Sequence, residues 1–158
     1  MNHPMKIGLS FGLTSGIITT LGLIVGLHSS THSSLIIIGG IITIAVADAF
    51  SDAMGIHISE EAENKHTHSE VWQATFATFL SKFVVALTFI APALLLELST
   101  AILVSIAWGL LLLGIFSYII ANEQKENPWK VVGEHIIIAL IVIVITHFVG
   151  DWVSVMFG

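Results

Sequence analysis

The chain alternates between long apolar runs and short polar breaks. Five apolar runs occupy about residues 6–27, 34–58, 72–96, 100–121 and 134–157. A helix rising 1.5 Å per residue needs ~20 apolar residues to cross a hydrocarbon core about 30 Å thick. Each run meets that length, so the pattern predicts an all-α, polytopic membrane protein with five transmembrane helices. The breaks are residues 28–33, 60–70, 97–99 and 122–130. Asn127-Pro128 in the last is a helix-start signal. Glu97 is the weakest break, but merging its two neighbours would give a helix too long for one bilayer. The expected organisation is one domain over residues 1–158, with residues 59–71 as a short acidic and histidine-rich cytosolic connection.

Composition agrees with this pattern. Of 158 residues, 55% are hydrophobic and 10% charged, against about 25% charged in soluble domains. Too little charge remains to cover a water-exposed surface. With no cysteine, disulfides, thiolate metal sites and iron–sulfur clusters are excluded. The net charge of -6 and the lack of a basic tract argue against a nucleic-acid partner. The first run is too long for a signal-peptide core and has no small-residue cleavage site, so it is expected to stay in the protein.

The basic residues set an expected orientation. The five basic residues are all lysines. Lys6 precedes the first run, Lys65 lies between the second and third, and Lys125 and Lys130 lie between the fourth and fifth. This alternation predicts the N-terminus inside and the C-terminus outside. The fifth, Lys82, lies within the third run.

Charges at mid-bilayer cost at least about 2.5 kcal/mol, so those inside the runs are the candidate functional residues. Asp48 and Asp52 are one helical turn apart on the second run. Paired carboxylates there suit a hard or borderline divalent cation, or protons. Lys82 could pair with them, either as a fixed register tie or as a counter-charge that moves aside for a cation. His147 and Asp151 repeat the one-turn spacing on the fifth run, and imidazole with carboxylate suits iron, manganese or zinc. Asp151 could equally be solvated near a surface. His57, Glu60 and Glu61 would share one side if the second helix continued, forming a cation-collecting mouth or simply a solvated helix end. The metal candidates are thus Asp48, Asp52, His57, Glu60, Glu61, His147 and Asp151, with Lys82 for ion pairing or coupling. His28 and His32 are also one turn apart but lie in a Ser/Thr-rich break. Gly8, Gly12 and Gly16, followed by Gly22 and Gly26, line the first run. They suit close helix packing, either within the chain or at a homodimer seam.

Several segments carry a family resemblance. Residues 12–27 (GLTSGIITTLGLIVGL) resemble the DGIVTTxGLVAGL segment of the vacuolar iron transporter family. Residues 49–59 (AFSDAMGIHIS) resemble its ALSMAxGEYxS segment. Ala91-Pro92 resembles the proline-containing end of a later family helix, and residues 146–150 (THFVG) its final TYxIG. The resemblance implies a five-span metal transporter, dimeric, with a pathway near the first two spans. It also implies departures. The family's first-span aspartate falls on Ser15, its methionine on Asp52, its glutamate on Ile56, and its two tyrosines on His57 and His147. A glutamate- and methionine-rich cytosolic helical domain common in the family is reduced here to Glu60–Glu70.

The function expected is secondary-active transport of iron(II) or manganese(II), with zinc(II) as a further candidate, by proton-coupled efflux from the cytosol. No Gly-rich phosphate loop is present to drive it, and aspartate and histidine can exchange metal for protons. The expected partners are membrane lipid, the transported ion and a second copy through the glycine-rich first helix. No resident cofactor is expected, and a prokaryotic cell membrane is the default location. The alternative is a non-transporting structural or accessory subunit that kept the fold and lost the ligands. An enzyme is not expected, since no His-rich set such as H-E-x-x-H is present.

Overall fold

The computed structural model describes residues 3–158. The described residues form six α-helices: α1 (His3–Thr31), α2 (Ser34–Glu63), α3 (His68–Thr88), α4 (Ile90–Leu95), α5 (Leu98–Gln124) and α6 (Pro128–Phe157). Taking α3 and α4 as one broken span, five helical segments are long and apolar enough to cross a membrane. The break falls where the sequence requires it. Pro92 has no N–H to donate to Thr88, and its ring clashes with that carbonyl, so α3 ends at Thr88 and α4 begins two residues later.

The connections are tighter than expected. Residues 59–71 are mostly helical: α2 continues to Glu63 and α3 starts at His68. The join is short because both ends are capped. Asn64 adopts a left-handed conformation at the end of α2. Thr67 and Glu70 form a reciprocal capping box at the start of α3. Ser33 caps α2 through the Ile36 N–H. Asn127 caps α6 through the Trp129 N–H, with Pro128 in the first helical position. The chain therefore runs up and down between two ends. One holds the start of α1, the α2–α3 join and the α5–α6 join. The other holds the α1–α2 join, the α4–α5 join and the end of α6.

The middle of the bundle is α1, which packs against α2, α3, α5 and α6. Its glycines make this possible. A Cβ at Gly8 would overlap the Ala74 carbonyl, one at Gly12 would overlap Ser81 and the Thr78 carbonyl, and one at Gly16 would meet Val85 and Lys82. Farther along, Gly22 and Gly26 lie against Val142 and Thr146 of α6. Both glycine rows of α1 thus serve packing inside the chain, the first of the two uses the sequence left open for them. Around them the core holds Ile17, Leu21, Ile24, Ile37, Ile41, Phe89 and Leu113. On α2 the buried row is Ile37, Ile41, Ala45, Ala49 and Ala53, at steps of four. Its alanines bring α2 close to its neighbours at mid-bundle.

Gly8→Ala places a methyl group against backbone that cannot rotate away. It should destabilise the bundle by about 1–3 kcal/mol, seen as a lower melting temperature in detergent. Gly133→Ala on α6, with nothing within 4 Å, is the control and should melt no lower than wild type. Equal melting of both variants with wild type would refute this packing.

Candidate metal pathway

The polar residues inside the bundle fall into three groups, at its middle and its two ends. The middle group is the most enclosed. Lys82 of α3 is 2% exposed, and its Nζ lies 2.6 Å from Asp48 Oδ2 and also contacts Asp52 Oδ2. The same nitrogen donates to Ser15 Oγ at 3.0 Å, and Ser15 Oγ donates to Asp52 Oδ2 at 2.7 Å. Three helices therefore meet at one ammonium. The helix packing dictates this: Gly16 lets the Lys82 stem pass beside α1, and the alanine row of α2 holds Asp48 and Asp52 one turn apart at the same depth.

The charges at this site do not cancel. One ammonium faces two carboxylates, which leaves a net negative charge in the middle of an apolar bundle. Exposure is also unequal. The Asp48 and Asp52 side chains are 32% and 20% exposed, whereas Lys82 is sealed. Asp48 Oδ2 makes no directed hydrogen bond, so the ion pair alone holds it. An arriving cation therefore reaches oxygen before it meets the ammonium.

At the end holding the α2–α3 join, α2 continues through Glu63, so His57, Glu60 and Glu61 share one broad side of the helix but differ in burial. Glu60 turns inward, its side chain only 5% exposed, with Oε2 3.4 Å from His66 Nε2. Glu61 is exposed. His57 is held by Thr75 at 2.8 Å and packs edge-on against Trp72. The burial of Glu60 follows from the extension of α2, which carries it past the membrane-length run into the contact with α3. Asp48, Asp52, Ile56 and Glu60 then lie along one ridge at steps of four. At 1.5 Å per residue, Glu60 is roughly 12 Å from Asp52 along the axis.

At the other end, His147 Nε2 lies 3.5 Å from Asp151 Oδ2, and its Nδ1 is 2.5 Å from Ser29 Oγ. His147 and Asp151 are both about half exposed.

Among the described residues, no three histidine, aspartate or glutamate side chains are already close enough to hold a metal ion together. The candidates form separate stations rather than a cage. A groove of about 610 Å³ between α5 and α6 is mostly apolar and is lined by Leu110, Gly114, Tyr118 and Trp129. None of the candidate metal residues lines it. Four participants were not among the sequence candidates: Ser15, Ser29, His66 and Thr75. His66 gave a signal only as one of several histidines in a polar break. Ser15 sits where the resembling family has an aspartate, and its position was informative although its residue type was not.

Removing the ammonium alone strands two carboxylates. Lys82→Met should therefore lower stability by about 3–5 kcal/mol, the usual cost of breaking a buried pair. Adding Asp48→Asn and Asp52→Asn to Lys82→Met should recover part of that loss. Thermal unfolding of the series in one detergent measures this, and strictly additive losses would show that the three side chains are not coupled.

No curated protein matches the chain. Residues 9–72, which run from α1 through Ser15, Asp48 and Asp52 into the start of α3, match the VIT family, the vacuolar iron transporters.

Proposed function

We propose that this chain carries divalent metal ions, iron(II) or manganese(II) with zinc(II) as a further substrate, out of the cytosol in exchange for protons. The match to a family of metal-ion transporters supports the general activity. The observation that carries the specific reading is the pair of partly accessible carboxylates closed around a sealed ammonium at mid-bundle.

Charge balance gives the mechanism. In the resting site Lys82 offsets one of the two carboxylates. A divalent ion seated on Asp48 and Asp52 neutralises both. A protonated Lys82 left beside it would then be an uncompensated charge in an apolar interior, which is costly. The ion would therefore compete with Lys82 for the same two carboxylates, and exchange of metal for protons at the polar side chains of the pathway would couple the two flows. By the lysine distribution, the end holding Glu60 and His66 faces the cytosol. Glu60 and His57 would pass the ion inward from the surface near Glu61. His147 and Asp151 would receive it beyond the middle.

The working unit is a homodimer whose seam is on α2 rather than α1. One face of α2 shows Gly39, Thr43, Ala47, Ser51, Gly55 and Ser59, all exposed, and neither Gly39 nor Gly55 has a neighbour within 4 Å. The partly exposed Asp48 and Asp52 lie beside this stripe, and hydrocarbon is a poor cover for them. A second copy would shield both carboxylates and leave a polar passage between copies. The location proposed is a prokaryotic cell membrane.

The rival reading is a non-transporting structural subunit. The closed Lys82 ion pair favours it, since such a pair can simply fix helix register.

Flux into proteoliposomes separates the two. Wild type should move iron(II) or manganese(II) while the internal pH changes. An Asp48→Asn/Asp52→Asn variant that elutes as the same folded species should lose most of that flux. Wild-type vesicles that pass no ion across a pH gradient would sink the transport reading. The seam has its own check, because the chain has no native cysteine. Ser51→Cys should cross-link into dimers on mild oxidation in membranes, and Leu140→Cys on α6 should not. Cross-linking at position 140 alone would move the seam off α2.

A further inference from the structure

The last turn of α1 holds a histidine pair that the transport scheme above leaves unused. His28 lies in that turn, and His32 follows just beyond the helix end. The His32 N–H donates to the His28 carbonyl at 3.1 Å, and His32 has φ 50°, in the left-handed region. Glycine is the usual residue at such a position, since it has no Cβ to crowd the turn. Here an imidazole occupies it, and the turn folds the ring back toward the preceding one. The two ring centroids are 5.1 Å apart.

The surroundings are short of hydrogen-bond partners. His28 Nδ1 is buried and has none, an uncommon state for a buried polar atom. Ser29, the next residue, contacts His147 Nδ1, whose Nε2 faces Asp151. His28 is also within electrostatic reach of His147. Three imidazoles and one carboxylate thus collect from α1 and α6 at one end of the bundle. The carbonyl end of a helix favours a cation there. Neutral imidazole nitrogens select zinc, iron and similar ions over magnesium or calcium.

We infer that His28 and His32 form a second metal site, one for a borderline divalent ion such as zinc(II) or iron(II), with His147 as its third ligand. The pair seats the ion, because the left-handed turn at His32 brings the two rings to 5.1 Å between centroids, near enough to chelate it together. His147 joins by a change of rotamer, since the three are not yet at ligand spacing. In a carrier this site would take the ion leaving Asp48 and Asp52 and hold it at the far end. The inference rests on the transport reading only for that role, and the site itself is read by binding.

Zinc(II) titration of the full chain in lipid nanodiscs, followed by calorimetry, tests it. Copper(II) spin resonance reports nitrogen ligation in parallel. The Asp48→Asn/Asp52→Asn variant should keep a nitrogen-ligated site. His28→Ala/His32→Ala should weaken zinc binding at it roughly tenfold or more. His32→Gly removes the imidazole and relaxes the left-handed turn, so it should melt no lower than wild type and yet bind zinc as poorly as the double variant. A purely capping role for His32 predicts that His32→Gly binds zinc as wild type does, and that result would overturn the site. Absence of flux in proteoliposomes alongside intact zinc binding would count against the carrier and not against this site.

Discussion

The bundle is organised around one ammonium group. Lys82 is 2% exposed, and an isolated charge in such a place would be prohibitive. It is tolerated because α1 supplies a hydroxyl and α2 supplies two carboxylates, all within hydrogen-bond or ion-pair reach. That requirement constrains much of the rest. The three helices must approach closely at one depth, which calls for glycine on α1 and alanine on α2. They must also keep their register, because a slip of one residue would move the carboxylates off the ammonium. The glycine contacts with Ala74, Thr78 and Lys82 and the ion pairs are two aspects of one packing solution.

The same constraint separates this site from a simple structural tie. A tie that only fixes register needs one carboxylate per ammonium and full burial of both. Here a second carboxylate is present and both retain some exposure. The excess negative charge and the access on the carboxylate side suit a position that a more highly charged cation can take over. On the transport reading proposed above, the ammonium would be a tethered stand-in, present when the ion is absent.

Much of the fold was legible because membrane helices obey a strict length rule. All five spans fall where the apolar runs do, and Pro92 marks the break in the third. The capped α2–α3 join was less legible, since a run of charge usually means a loop. Here the capping box of Thr67 and Glu70 and the left-handed Asn64 make it a tight turn between long helices. Site geometry was legible only within a helix. The one-turn spacing of Asp48 with Asp52, and of His147 with Asp151, follows from the helical repeat alone. Contacts between helices, such as Ser15 with Lys82 or Ser29 with His147, depend on which faces meet, and periodicity does not supply that. Glu60 and Glu61 show the same limit: of two adjacent acids, one is buried and the other exposed once α3 is in place.

The distribution of the stations carries one more consequence. A single deep cage of histidine and carboxylate would bind a transition ion tightly and release it slowly. The described residues contain no such cage, and the polar groups are spread along about the length of the bundle. Glu60 with His66, and Asp48 with Asp52, each offer only two side chains. An ion at any one of them keeps open positions for water or for the next ligand, so its stay is brief. At the middle station Lys82 would compete with the ion for the same two carboxylates. Weak sites in series favour passage over storage, and conduction through a membrane needs binding strong enough to enter and weak enough to leave.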